Sequence, residues 1–108
     1  MYRYRVHMVV RDVASWNEAV DLARQTNVIS ERLGQPTLTL WTETIGQFNH
    51  LVAETEYDSL ASLESSFKAM EADTEFQEVS RRVAPLLVAD KGYTELLERA
   101  EQVTGIFG

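Results

Sequence analysis

Cysteine is absent from this sequence of 108 residues, which excludes disulfide bridges, thiolate catalysis and any cysteine-based zinc or iron–sulfur site. Long hydrophobic runs are also absent, because no apolar stretch approaches the ~20 residues that a membrane-spanning helix needs. The alternating start of the chain, Met1 to Arg5, does not build the apolar stretch of a secretory signal. We therefore expect a soluble, cytoplasmic protein that has no membrane partner.

Basic residues are scarce: the chain has 10 lysines and arginines against 17 acidic residues, which gives a formal net charge of −7. A protein that binds a phosphate backbone needs basic patches, so we expect no nucleic-acid partner. Gly-x-Gly-x-x-Gly loops and Gly-x-Ser-x-Gly turns are missing as well. Nucleotide binding and a serine nucleophile therefore have no support, and we expect no cofactor.

What remains is an ordinary globular composition, 44% hydrophobic and 25% charged. No segment rich in proline, glycine or serine marks a linker between domains. We therefore expect a single α+β domain over residues 1–100, with a modest core, followed by a C-terminal tail over residues 101–108.

The first third of the chain changes from one period to another. Residues 2–11 alternate with a period of two, which predicts a strand. From Val13 to Leu33, apolar residues recur every three or four positions, which predicts a helix that Asp12 caps and Gly34 ends. The predicted buried stripe of this helix consists of Trp16, Ala19, Val20, Ala23, Thr26, Ile29, Ser30 and Leu33.

Two further alternating segments, residues 36–45 and 47–55, predict a hairpin around Gly46. Apolar residues at helical spacing then predict a helix that starts at Asp58 or Ser59 and reaches Met70.

A second short helix is predicted over residues 73–87, with its last turn loosened by Pro85. By composition, Tyr93–Arg99 fits either a strand or a short helix. The order strand–helix–strand, repeated once, is the split β-α-β arrangement called ferredoxin-like, and it assigns Tyr93–Arg99 as the fourth strand.

This topology places both helical regions on one face of an antiparallel four-stranded sheet. The alternation assigns to that face Tyr4, Val6, Met8, Leu38, Leu40, Leu51 and Ala53. The other face would expose Val9, Trp41, Phe48 and Val52 among polar residues, and a bare apolar patch usually marks an interface. We therefore expect a homodimer in which two sheets face one another. The alternative is a monomer whose half-polar face stays in contact with water.

The same face carries the candidate binding residues Arg5, His7, Trp41, Glu43, His50 and Glu54. Imidazoles beside carboxylates suit proton transfer, and an aromatic wall with a few polar groups suits a small apolar ligand. His7, His50 and Glu54 could also meet around a metal ion, but no ligand-spacing motif supports a metal site. The remaining alternative is that these groups form polar pairs along the sheet or across the dimer.

Three stretches carry a family resemblance: Gly46-Gln47-Phe48-Asn49-His50-Leu51-Val52, Glu54-x-Glu56-Tyr57-x-Ser59-Leu60-Ala61 and Met70-x-x-Asp73-x-Glu75-Phe76. They resemble the dimeric α/β-barrel superfamily and, within it, NIPSNAP-like proteins and their uncharacterised bacterial relatives. The resemblance covers roughly residues 2–99 and implies paired ferredoxin-like protomers that enclose a lumen between their sheets. Antibiotic-biosynthesis monooxygenases and haem-degrading enzymes of this superfamily use the lumen for oxidation. No active-site motif of those enzymes matches this chain, so no catalytic residue is assigned.

The residues and the resemblance together predict a homodimeric α/β-barrel protein that holds a small, partly apolar molecule in the lumen. One alternative is an enzyme of the same architecture, either a cofactor-free oxygenase or an isomerase-like proton shuttle that uses His7 or His50. The other is a structural or regulatory dimer that has no ligand.

Overall fold

The computed structural model describes residues 1–102. Within this range the chain forms β1 (Tyr2–Val9), α1 (Val13–Arg32), β2 (Thr39–Thr42), β3 (His50–Tyr57), α2 (Leu60–Glu71), α3 (Thr74–Val83) and β4 (Tyr93–Glu98). Short 3₁₀ turns follow α3 at Ala84–Leu86 and β4 at Ala100–Gln102. Of the predicted tail, residues 103–108 lie outside the described residues. None of the helices in residues 1–102 has the combination of length and hydropathy that crossing a membrane requires.

The four strands form one antiparallel sheet in the order β2-β3-β1-β4, with the helices on one side of it, which confirms the predicted α+β, ferredoxin-like fold. The register places His7 opposite Val52 and Val9 opposite His50. On the outer edges, Trp41 lies opposite Val52 and Tyr93 lies opposite His7. Directly paired residues in an antiparallel sheet point to the same side, so both histidines share the face that the helices leave uncovered.

The helix ends follow the capping signals in the sequence. The carboxylate of Asp12 accepts the N–H of Ser15 at 2.8 Å at the start of α1. At the other end Gly34 adopts a φ of 69°, a left-handed conformation that glycine tolerates. Ser59 caps α2, as one of the two predicted starting points, and forms a reciprocal capping box with Ser62.

The segment predicted as one helix over residues 73–87 is divided in two. The α-helix α3 ends at Val83, and a 3₁₀ turn that contains Pro85 continues to Leu86. Proline has no N–H to donate within a helix, which explains the earlier end of α3.

Both strands of the hairpin are shorter than the predicted segments 36–45 and 47–55, because β2 covers Thr39–Thr42 and β3 begins only at His50. Asn49 has a φ of 60°, which interrupts the extended backbone just before β3. The prediction that Phe48 belongs to the strand alternation is therefore wrong. Phe48 lies in the loop, where it is 75% exposed.

The buried core lies between the helices and the covered side of the sheet and consists of Val10, Ala19, Leu22, Ile29, Leu51, Val79 and Leu86. Trp16 packs against this cluster as a partly buried residue, as predicted. The predicted stripe of α1 omitted Leu22, which is only 1% exposed. The buried face of α1 is wider than a single row of every third or fourth residue, and Leu22 follows Ala19 by one helical turn.

Asp73 provides a pH-dependent contact between two helices. Its carboxylate caps α3 by accepting the N–H of Phe76 at 3.0 Å, and it also accepts a hydrogen bond from Arg32 of α1 at 2.8 Å. The Arg32 guanidinium, and secondarily the N–H of Phe76, hold the pKa of Asp73 below its ordinary value of 3.8. Between the folded and unfolded pKa values the unfolded chain binds more protons, so the folded state gains stability as the pH rises through that interval.

We therefore expect Asp73→Asn to lower the Tm by a few degrees at neutral pH, because asparagine still caps the helix but cannot form the ion pair with Arg32. The difference from the wild type should disappear as the pH falls through the folded pKa of Asp73. Thermal melts followed by circular dichroism at neutral and strongly acidic pH measure this difference. Asp58→Asn removes the same charge from an exposed position and serves as the control. A difference that is independent of pH would contradict the assignment.

Candidate functional site

The face of the sheet that the helices leave uncovered, here called the open face, carries residues from all four strands. Its members are Arg3, Arg5, His7 and Val9 of β1, Thr39 and Trp41 of β2, His50, Val52, Glu54 and Glu56 of β3, and Tyr93, Glu95 and Leu97 of β4. Charged side chains and aromatic rings alternate across this surface, so it combines polar chemistry with apolar contact area.

Four side chains on or beside the open face form a continuous hydrogen-bonded row. Nδ1 of His7 lies 3.0 Å from Nε2 of His50, which joins the two rings directly. The second nitrogen of His50, Nδ1, contacts Oε1 of Glu43, and the second nitrogen of His7, Nε2, contacts Oε1 of Glu95. We call this row, in the order Glu43–His50–His7–Glu95, the Glu–His–His–Glu chain.

The two histidine rings are largely shielded from solvent by the rest of the polypeptide. The side chains of His7 and His50 are 11% and 8% exposed, respectively. Tyr93 stacks on His7 with ring centroids 4.1 Å apart and an interplanar angle of 9°. This stacking holds the His7 ring in the plane that reaches both Glu95 and His50.

The hydrogen-bond partner of each imidazole nitrogen determines how many protons the Glu–His–His–Glu chain holds. An ionised carboxylate only accepts hydrogen bonds, so Glu43 requires a proton on Nδ1 of His50 and Glu95 requires one on Nε2 of His7. The contact between the rings needs one more proton. Two neutral imidazoles hold two protons, so with three protons the pair shares one positive charge between two carboxylates.

Glu43 lies just beyond β2 and is fixed at both carboxylate oxygens. Oε1 accepts from His50, and Oε2 accepts from the backbone N–H of Gln47. The hydrogen bond from His50, followed by that from Gln47, holds the pKa of Glu43 below its usual range. Gly46 makes this arrangement possible, because a Cβ atom at that position would coincide with the Glu43 carboxylate. Glu43 is thus an anionic end point for the chain.

Beside the chain lies a shallow concavity of about 340 Å³, lined by Arg3, Arg5, His7, Trp41, Val52 and Glu54. Glu54 does not join the histidines but pairs with Arg5, whose Nε lies 2.6 Å from Oε2. The apolar part of the lining consists of Val52, which is buried, and Trp41, which is exposed. His7 belongs to both the concavity and the Glu–His–His–Glu chain, so it connects them.

All six residues proposed from the sequence therefore lie on or beside the open face, divided between the chain and the concavity. The interpretation that His7, His50 and Glu54 could meet around a metal ion is not supported. Glu54 points to Arg5, and within residues 1–102 no group of three potential ligands is arranged to hold a metal. Glu95 and Tyr93 belong to the site but were not predicted from the sequence. Their alternation along β4, combined with the ferredoxin-like pairing of β4 with β1, was the signal that could have identified them.

A second cavity, of about 290 Å³, lies between the sheet and the helices and has a mostly apolar lining. The rings of Tyr4 and Phe67 meet edge to face in its wall with centroids 5.1 Å apart. Burial raises the pKa of the Tyr4 hydroxyl. Tyr4, Val6 and Met8, which were predicted on the helix-covered side, are only partly buried. Tyr4 and Val6 line this cavity, which the helices leave unfilled.

Comparisons with known proteins give one family and a set of structural neighbours. A sequence model of the family described as NIPSNAP matches residues 3–101. A comparison with curated proteins gives no match.

Among solved structures, an uncharacterized NIPSNAP domain protein from Burkholderia xenovorans has a TM-score of 0.74 and 18% identity, covering 95% of this chain and 98% of that one. A NIPSNAP family protein from Agrobacterium tumefaciens has a TM-score of 0.74 and 15% identity, covering 95% and 96%. An antibiotic biosynthesis monooxygenase has a TM-score of 0.68 and 14% identity, covering 91% and 97%. At these identities the neighbours show a shared fold alone.

Proposed function

Because the chain belongs to the NIPSNAP family, whose match spans nearly all of the ferredoxin-like fold, we propose that it acts as a homodimer that binds a small, partly apolar molecule between two open faces. The observation that carries this proposal is the composition of the open face. Trp41 and Tyr93 are 55% and 54% exposed there, beside a shielded polar chain. Large aromatic side chains bared on one face of a sheet favour contact with another apolar surface.

The charge of the open face favours a second copy of this chain as its occupant. Arg5 pairs with Glu54, and Arg3 pairs with Glu56 at 3.1 Å, so these charges compensate one another within the protomer. With the histidines counted as neutral, as in the formal net charge of −7, two arginines against four glutamates leave two of the seven net negative charges in this region, and a shared imidazolium would offset one of them. Most of the net negative charge of the protein therefore lies outside the open face. Electrostatic repulsion between two open faces that meet about a two-fold axis is therefore small.

The concavity favours a ligand with an aromatic or aliphatic body and few polar groups. Its apolar members are Trp41 and Val52, and Arg5 and Glu54 supply polar atoms to the same lining. This is the common composition of small-molecule sites. The monooxygenase among the neighbours supports the idea that this architecture accommodates small organic molecules. The open face of a second copy would cover the shallow concavity and enclose the ligand.

Two measurements test the proposal. Light scattering over a wide range of protein concentrations should give twice the chain mass of 12.3 kDa. 4-Nitrophenol, a small aromatic quencher, should reduce the fluorescence of Trp41 with saturation in a Trp16→Phe background, where Trp41 is the only tryptophan. A matched Trp41→Phe variant, which retains only Trp16, should show no saturable quenching.

A mass of one chain at every concentration would contradict the homodimer. A dimer whose Trp41 fluorescence is unaffected by 4-nitrophenol would contradict the aromatic-binding site on the open face and favour a dimer without a ligand there. Saturable binding without Trp41 quenching would place the ligand in the cavity between sheet and helices instead, because that cavity is lined by Tyr4 and Phe67.

A further inference from the structure

Among residues 1–102, one oxygen atom of the Glu–His–His–Glu chain has no hydrogen-bond donor, and this atom is Oε2 of Glu95. Both nitrogens of His7 and both nitrogens of His50 already have hydrogen-bond partners, so neither ring has a nitrogen left to form a hydrogen bond with a ligand while the Glu–His–His–Glu chain is intact. Glu43 uses both of its carboxylate oxygens. Glu95 uses only Oε1, and no residue of the described range 1–102 donates a hydrogen bond to its Oε2.

Both ends of the Glu–His–His–Glu chain reach solvent, because the side chains of Glu95 and Glu43 are each 35% exposed. Glu95 is the end that has a carboxylate oxygen without a hydrogen-bond donor among residues 1–102. It lies opposite Arg5 on the neighbouring strand, and its partner His7 lines the concavity beside Trp41 and Val52. Arg5 and His7 both line the concavity, so Glu95 lies directly beside it, next to the position of a molecule bound there.

We propose that Glu95 is a general base that removes a proton from a carbon acid bound on the open face, and that His7, His50 and Glu43 are positioning residues behind it. This inference rests on the proposed function, since the substrate is the small molecule bound there. The substrate class is a partly apolar molecule with an acidic C–H bond beside a carbonyl or imine group. The reaction class is isomerisation by proton transfer.

The protons and electrons of this step balance without an oxidant or a reductant. Oε2 of Glu95 takes the proton of the C–H bond, and the electron pair of that bond moves onto the carbonyl oxygen to form an enolate. In a substrate with a C=C bond at the β,γ position, the protonated Glu95 then returns the proton to the γ-carbon. The oxygen electron pair re-forms the C=O bond, the C=C bond moves to the α,β position, and the Glu95 carboxylate is restored.

The two histidines offer a way to accommodate the change of charge at Glu95. When Glu95 is a carboxylate, the shared positive charge is most stable on His7, directly beside it. When Glu95 becomes protonated, the proton between the rings moves from Nδ1 of His7 to Nε2 of His50. The positive charge then lies beside Glu43, which is held in its ionised form by His50 and Gln47.

5-Nitrobenzisoxazole is a suitable probe, because a base that removes its C3 proton converts the C–H electron pair into a nitrile bond and breaks the N–O bond to release a coloured phenolate. We expect the wild-type dimer to convert this probe with saturation kinetics. Glu95→Gln, which keeps the size and removes the base, should lower kcat by about 100-fold or more. Glu98→Gln removes the same charge from the opposite face of β4 and should leave kcat unchanged.

A Glu95→Gln variant with kcat within about twofold of the wild type, or an equal loss in Glu98→Gln, would overturn the inference. Quenching of Trp41 by 4-nitrophenol separates this failure from that of the proposed function. If quenching persists in wild type and in Glu95→Gln but the probe reacts equally in both, only the assignment of Glu95 fails. If the wild type shows no quenching, the binding proposal fails as well. Saturable quenching in Glu95→Gln also shows that the variant has folded.

The positioning role of His50 has its own readout. His50→Gln interrupts the path of the shared charge without touching the substrate, so kcat should fall about tenfold while KM stays within about twofold. A variant that raises KM and leaves kcat unchanged would indicate that His50 only supports the shape of the open face. Replacing Glu43 by glutamine should give the same division between kcat and KM, since it removes the anion that receives the displaced charge.

Discussion

Replacing Trp41 by glutamate is expected to convert the proposed homodimer into monomers. Trp41 is 55% exposed in the single chain and lies on the open face opposite Val52. In the face-to-face dimer its ring would be covered by the second copy, so a glutamate there would bury a carboxylate that has no partner. An unpaired buried charge costs about 3–5 kcal/mol, which weakens association by about 100-fold to 1,000-fold or more.

Light scattering at a concentration at which the wild type is dimeric would measure this change directly. Val28→Glu introduces the same charge on the outer side of α1, where Val28 is 66% exposed, and should leave the dimer intact. Dissociation in the Trp41 variant alone would locate the interface on the open face. A Trp41→Glu protein that keeps the wild-type mass would contradict an interface that includes β2, even if the protein is a dimer.

Replacing Leu22 by alanine should produce the largest loss of stability from a single truncation. Leu22 is 1% exposed and belongs to the core cluster between α1 and the covered side of the sheet. Leucine-to-alanine substitutions at such positions cost about 2–5 kcal/mol, because the lost transfer energy is increased by the cavity left behind. A domain of this size has only about 5–15 kcal/mol of total stability, so the variant should be close to unfolding at physiological temperature.

Urea denaturation, followed by circular dichroism, would give the change in the free energy of unfolding for Leu22→Ala. Leu60→Ala is the matched control, because the same methyl groups are removed from a side chain that is 50% exposed at the start of α2. The control should lose less than about 1 kcal/mol. A loss at Leu22 no greater than at Leu60 would contradict this prediction and would mean that the core relaxes to fill the space that the leucine side chain leaves.

Strand periodicity predicts that the two histidines share one face only if neither strand slips by one residue, and the register in the structure meets this condition. His7 and His50 each occupy the side of a strand opposite to clearly apolar neighbours such as Met8 and Leu51, so the helix-covered side could be assigned to the latter. The antiparallel pairing of the first and third strands then follows from the ferredoxin-like order of elements. No knowledge of side-chain geometry was needed for this step.

Which glutamates contact the two histidines could not be predicted from strand periodicity. Glu43 and Glu54 were both expected on the histidine face, and only the register shows that Glu54 lies directly opposite Arg5. Glu43 reaches His50 because β2 ends early and the chain turns back at the loop. Glu95 lies on a strand whose composition also fits a helix, so its contact with His7 depended on long-range pairing that a single segment does not encode.

The site depends on Gly46, although this residue contributes no atom to the Glu–His–His–Glu chain. Any side chain at this position would occupy the space of the Glu43 carboxylate, and the φ of 144° would be strained for any residue other than glycine. The loop between β2 and β3 is exposed and would otherwise tolerate sequence drift. Selection that keeps the Glu43 carboxylate beside His50 should therefore also keep glycine at position 46, while the rest of this loop varies in sequence.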